Sequence, residues 1–165
     1  KTHNWLSLET EIQKFILNQS KFHIGFHAAG AFNTSYLFSN YTATLLTLPN
    51  FALLPDAKTF FLKEFRSPQY IGAGLNLIYS IKKNIDFRID GYLFQPLIML
   101  GENNDGTPYL GKVNNITSFM GDASLIYHSP IGPVRLTLNY FEKQSNPIAF
   151  QLSFGYVIFN KKAIR

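Results

Sequence analysis

The sequence predicts an all-β fold, an antiparallel transmembrane β-barrel to which this chain contributes seven strands. Three observations predict it. Apolar and polar residues alternate with period two in seven separate stretches. The connections alternate between short turns and longer loops, as in transmembrane barrels. The composition joins 16% aromatic and 46% hydrophobic residues to only 15% charged ones, with a mean hydropathy of -0.01. A typical soluble domain carries roughly 25% charged residues. No spanning helix is expected, because the most apolar stretch, 91–100, is short and contains Gln95 and Pro96, whereas a helix needs roughly 20 apolar residues to cross a bilayer.

The first strand is expected over 3–17, with Leu6, Leu8, Ile12 and Ile16 on one face and Ser7, Glu9, Glu11 and Gln13 on the other. After the turn 18–20, the second (21–32) sets Phe22, Ile24, Phe26, Ala28 and Phe32 against His23, Gly25, His27, Ala29 and Ala31. A long irregular segment, 33–67, interrupts the pattern. The third strand (68–81) sets Ile71, Ala73, Leu75, Leu77, Tyr79 and Ile81 against Gly72, Gly74, Asn76 and Ser80. The turn 82–84 leads to the fourth (85–94), with Ile85, Phe87, Ile89 and Leu93 opposite Asp86, Arg88, Asp90 and Tyr92. A loop rich in Gly, Asn and Asp covers 100–115. The fifth strand (116–128) carries Phe119, Ala123, Leu125 and Tyr127 against Ser118, Asp122 and Ser124. Across the turn 129–132, the sixth (133–141) sets Val134, Leu136, Leu138 and Tyr140 against Arg135, Thr137 and Asn139. Past the loop 143–147, the last sets Phe150, Leu152, Phe154, Tyr156 and Ile158 against Gln151, Ser153, Gly155 and Val157.

A soluble antiparallel barrel or sandwich would share this strand count and period. Two features favour the membrane. Aromatics stand near strand ends (Trp5, Tyr79, Phe141, Phe159), as an interfacial girdle requires. The polar face gathers Glu9, Glu11, Asp86, Arg88, Asp90, Asp122 and Arg135, as a wet or salt-bridged lumen would. The formal net charge of +5 is spread along the chain, which argues against nucleic acid as a partner. Zero Cys removes disulfide frameworks, thiol catalysis and thiolate metal sites. The chain opens at Lys1-Thr2-His3 without a leader pattern, so a segment of a longer protein is expected.

Candidate reactive groups resolve into polar wall residues. His23 and His27 would pair for a metal on a helix, but four residues along a strand is about 13 Å. Glu9 and Glu11 lie about 7 Å apart on one face with no cleft to act on. No Gly-x-Ser-x-Gly elbow occurs. Gly72-Ala73-Gly74 runs into a strand and not a helix, so it is not a phosphate loop. No catalytic residue, metal site or cofactor is expected in this chain.

Three segments carry a family resemblance: Phe38-Ser39-Asn40-Tyr41-Thr42-Ala43-Thr44-Leu45-Leu46, Lys58-Thr59-Phe60-Phe61-Leu62-Lys63-Glu64-Phe65-Arg66, and Tyr70-Ile71-Gly72-Ala73-Gly74. With the ending Gly132-Pro133-Val134-Arg135-Leu136 and Phe154-Gly155-Tyr156-Val157-Ile158-Phe159-Asn160, their order and spacing resemble the C-terminal barrel of bacterial patatin-like phospholipases. That barrel is related to the BamA/TpsB-type superfamily of outer-membrane insertases and secretion pores. The resemblance implies the last seven strands of a barrel of about sixteen in the bacterial outer membrane. It also implies an inward-folding loop at 33–67. The loop tip of that superfamily maps onto Phe65-Arg66-Ser67, with the Arg kept and the following Gly replaced. An ion pair between Arg66 and Asp90 inside the barrel is therefore expected, with Gly72 and Gly74 leaving room for the loop. Ser153, Gly155, Ile158 and Phe159 resemble the C-terminal signal read by the barrel assembly machinery, with Asn160 where the terminal aromatic usually stands.

The implied function is that of a membrane anchor, which could also translocate a lipid acyl hydrolase domain N-terminal to it. The Ser-Asp chemistry would belong to that domain, so this chain by itself is not expected to be an enzyme. The implied partners are outer-membrane lipid, the assembly machinery during biogenesis and the remaining strands of the same barrel. The alternatives are a porin-like channel, an insertase or secretion-pore barrel, and a soluble β-barrel binding apolar ligands.

Overall fold

The computed structural model describes residues 5–34, 37–112 and 117–155. Seven strands form one antiparallel sheet: β1 (Ser7–Asn18), β2 (Phe22–Asn33), β3 (Gln69–Lys82), β4 (Ile85–Pro96), β7 (Ser118–Ser129), β8 (Gly132–Phe141) and β9 (Ile148–Phe154). They pair in the order β1-β2-β3-β4-β7-β8-β9, so each strand lies beside its neighbour in sequence apart from one excursion between β4 and β7. The sheet is open, with β1 and β9 as its edges. No helix among the described residues is long and apolar enough to cross a membrane.

The excursion corrects one expectation. Most of the segment read as a loop at 100–115 belongs to a two-stranded ribbon, β5 (Ile98–Glu102) with β6 (Pro108–Lys112). An Asp105-Gly106 turn closes it. Gly106 adopts φ 80°, a left-handed conformation that glycine takes without a side-chain clash. Asp105 binds the Thr107 amide at 3.0 Å and hydroxyl at 2.6 Å.

Among the described residues the predicted faces hold across the sheet, with two local departures, and the predicted face positions Tyr156, Val157 and Ile158 lie outside the described residues. Register shifts between Phe15 and Leu17 and between Ser80 and Lys82 make Ile16 and Ile81 bulge residues, not members of the apolar row. Past the first bulge Leu17 pairs with Ile24, and past the second Lys82 pairs with Ile85.

The long segment between β2 and β3 is ordered as a helix, α1 (Tyr41–Thr47), and two 3-10 turns, Pro55–Thr59 and Lys63–Phe65. Asn40 caps α1 by accepting the Ala43 amide at 3.1 Å. Beyond the helix the segment lies over one face of the sheet. Phe51, Leu54, Ala57, Leu62 and Phe65 are buried there against Ala31, Tyr70, Tyr92, Phe94, Met120 and Phe141, and these form the main core. The protein's core therefore sits between the sheet and its own loop.

Candidate functional site

The two faces of the sheet differ in chemistry. One is apolar and uncovered. Its cross-strand rows read Phe22, Tyr79, Phe87, Leu125, Leu136, Leu152 and Ile24, Leu77, Ile89, Ala123, Leu138, Phe150. Gly91 faces Gly121 on this surface, and the Phe119 ring approaches both. Leu75, Leu93 and Phe154 are 50%, 55% and 63% exposed, values fit for surface polar residues and not for core leucines. Soluble monomers rarely expose a contiguous apolar patch beyond about 300–600 Å². A face spanning seven strands belongs to a different class of surface.

The other face is the one covered by the loop. Near the long-loop end it is aromatic. Phe51 of the loop packs against Tyr70 and Phe94 with ring centroids 5.6 and 5.1 Å away, and Phe65 lies 5.6 Å from Phe94. Phe51 fits because position 72 has no side chain, since a Cβ there would overlap its ring. Gly74 serves another neighbour: the space above it holds Tyr92 of β4, not the loop.

Farther along the same face the chemistry turns ionic. Arg88 holds Asp90 at 2.6 Å, and Asn76 donates to the same carboxylate at 2.9 Å and to the Tyr92 hydroxyl at 2.5 Å. Arg135 pairs with Asp122, which is the register neighbour of both Asp90 and Asn139. Asp56, from the first 3-10 turn of the loop, accepts from Asn139 at 3.4 Å. Glu11 meets His27 at 2.9 Å near the β1 edge, and His23 binds Asn18 at 2.5 Å, so the two histidines have separate partners.

Arg66 and Asp90 are not brought together. Asp90 is taken by Arg88, two residues before it on the same strand and therefore on the same face. Arg66 instead donates to the carbonyls of Leu46 and Leu48 at 3.3 and 3.2 Å. It thereby caps the C-terminal end of α1, where helix carbonyls lack internal partners and the dipole favours a cation. Its guanidinium also lies 5.6 Å from the Phe61 ring, and burial lowers its pKa. Arg66 closes the loop on itself: Asn50 bridges to Arg66, and the Phe51 amide donates to the Phe65 carbonyl at 2.9 Å. The Arg88-x-Asp90 pair was visible in the sequence as two opposite charges at equal parity.

Other contacts fasten the loop from its sides. The Phe60 ring lies 5.3 Å from Phe141, and Gln144 donates to Glu64. Phe141, expected in an outward aromatic girdle, is 2% exposed and lies in the covered core, whereas Trp5 and Tyr79 are exposed. On the other side Leu45 of α1 and Leu48 just past its end cluster with Leu100 of the ribbon, joined by Tyr41. The Tyr41 amide donates to Gly106 at 3.0 Å. Burial raises the Tyr41 pKa, and the nearby Glu102 and Glu64 raise it further.

At the C-terminal end Ser153 stands opposite Arg135. Gly155 has φ 90° and donates its amide to Pro133 at 2.9 Å. Ile158 and Phe159 lie outside the described residues. Among the described residues no three His, Asp or Glu side chains are grouped to hold a metal ion. The arrangement is a wall with one greasy side and one side packed against a strap from the same chain. No protein-family model, curated protein or solved structure matches the chain.

Proposed function

We propose that this chain is a wall segment of an outer-membrane β-barrel whose lumen is plugged by the segment between β2 and β3. The observation that supports it best is the uncovered apolar face across all seven strands, opposite a face of ion pairs and buried amides. Lipid is the solvent that such a face fits, and the polar side then points to a lumen. The open edges support the same reading. Unpaired backbone groups at β1 and β9 would be costly in hydrocarbon, so the remaining strands of the same barrel are the partners that close it. β1 is exposed along nearly its whole length, as expected of a strand awaiting a neighbour.

The resemblance to patatin-like phospholipase barrels then gives the wall a role. It anchors a lipid acyl hydrolase domain at the bacterial outer membrane and contributes no catalytic group of its own. Assembly would proceed through the barrel assembly machinery. The strap over the polar face favours a plugged anchor or secretion pore over a freely open porin.

Detergent dependence tests the membrane reading. The chain should stay monodisperse only in detergent or lipid, with the outward rows protected from aqueous reagents. A monodisperse, folded protein in plain buffer would overturn it and favour a soluble β-fold with an apolar-ligand face.

A further inference from the structure

We propose that the short-turn end of the sheet seats in a leaflet of anionic phospholipid, with Lys21, Lys82 and Lys83 holding the headgroup phosphates. The inference deepens the membrane reading and rests on it.

The three short connections, β1–β2, β3–β4 and β7–β8, lie at one end of the sheet. Lys21 closes the first and Lys82 and Lys83 open the second, and all three are exposed. The Lys21 carbonyl accepts the Ser80 amide at 2.8 Å, which brings the two turns side by side. The bulge at Ile81 decides where Lys82 points. By simple alternation Lys82 would follow Ser80 onto the polar face. The register shift pairs it with Ile85, whose other neighbour is Tyr127, and so moves it to the apolar side at the rim. None of the three lysines forms an ion pair among the described residues. The carboxylate nearest this rim, Asp86, faces the other way and is held by Ser80 at 2.7 Å and His128 at 2.8 Å. The opposite end has no such excess, because Glu64, Glu102, Asp105 and Glu142 stand there among its lysines.

This combination suits a lipid interface. Each lysine can lay its four-carbon stem along the apolar rows of Phe22, Tyr79 and Phe87 and lift its ammonium to the phosphate level. Lys14 can do the same from farther up β1, where it sits beside Phe26 on the apolar face. A negative headgroup supplies the counter-charge that the protein omits, and each lysine near such a surface strengthens attachment.

The test compares partition of the full chain into large vesicles of phosphatidylcholine with vesicles also containing phosphatidylglycerol, read by flotation. We expect insertion into both, with a gain of about tenfold or more from the anionic lipid at low salt. The gain should largely vanish at about 1 M salt, where the screening length is about 3 Å. Most of it should be lost in K21Q/K82Q/K83Q and kept in K21R/K82R/K83R, with β content by circular dichroism confirming that each variant folds. Equal partition into the two vesicle types, or a gain kept by the glutamine variant, would overturn the proposal and leave the membrane reading standing. Wild-type chain that stays folded in the aqueous phase with both vesicle types would overturn both. An anionic-lipid gain that survives about 1 M salt in the wild-type protein would overturn the proposal even if the variants fail to fold.

Discussion

Arg88 and Asp90 show how a single residue pair sets the electrostatics of the covered face. Asp90 is 1% exposed, and its carboxylate is satisfied by Arg88 and Asn76. Arg88→Ala should leave the buried Asp90 carboxylate without its charged partner, held only by Asn76, and cost about 3–5 kcal/mol in denaturant unfolding. Arg66→Ala should act differently. It removes hydrogen bonds to two carbonyls, for a loss of about 1.5–3 kcal/mol. Because Arg66 and Asp90 are not paired, Arg66→Ala and Asp90→Ala should add to within about 0.5 kcal/mol, whereas Arg88→Ala and Asp90→Ala should not. A large coupling between Arg66 and Asp90 would contradict the geometry. Gly72→Val tests the seat of Phe51. The new side chain must displace that ring, so destabilisation of about 1–3 kcal/mol is expected, with new protease cutting in the loop. Parity sufficed to place Asp90 and Gly72 on the polar face. It could not choose between Arg66 and Arg88 as the partner of Asp90, because that choice depends on where a long loop comes down.

The element that organises the molecule is the strap between β2 and β3. Its aromatic side chains supply much of the core, and Phe51 is the central one. Phe51→Ala should cost about 3–5 kcal/mol and expose 48–67 to protease while the strands stay protected. The strap is also clasped from the side by the β5–β6 ribbon through Leu45, Leu48 and Leu100. The ribbon's turn carries a pH dependence of known sign. Hydrogen bonds from the Thr107 side chain and backbone hold the Asp105 carboxyl below the usual range. A depressed carboxylate stabilises the folded turn at pH above its unfolded value, and that contribution disappears as pH falls through the lower folded value. The protection of the Thr107 amide relative to its intrinsic exchange rate should therefore fall only below the ordinary carboxylate range, and Asp105→Ala should abolish that dependence. The ribbon itself was legible in Asp105-Gly106 between two apolar runs, a hairpin signal outweighed by the loop-like composition around it.

For the whole molecule, the open seven-stranded sheet and its apolar face carry the largest consequence. In the proposed barrel, completed by its remaining strands, the strap should suppress steady conductance in planar bilayers. Replacing 50–65 by a short flexible linker should open a large, stable conductance. A large steady current with the strap intact would count against the plug. By itself the sequence determined the seven strands of the main sheet, their meander order and their two faces, because alternation is a local property: a strand sends successive side chains to opposite sides whatever its neighbours do. Only the tertiary structure decided that Arg66 caps α1 and leaves Asp90 to Arg88, that Asp56 of the strap comes down on Asn139, and that the bulge at Ile81 moves Lys82 to the apolar rim. Those outcomes depend on distances between segments far apart in the chain, and a period of two carries no information about them.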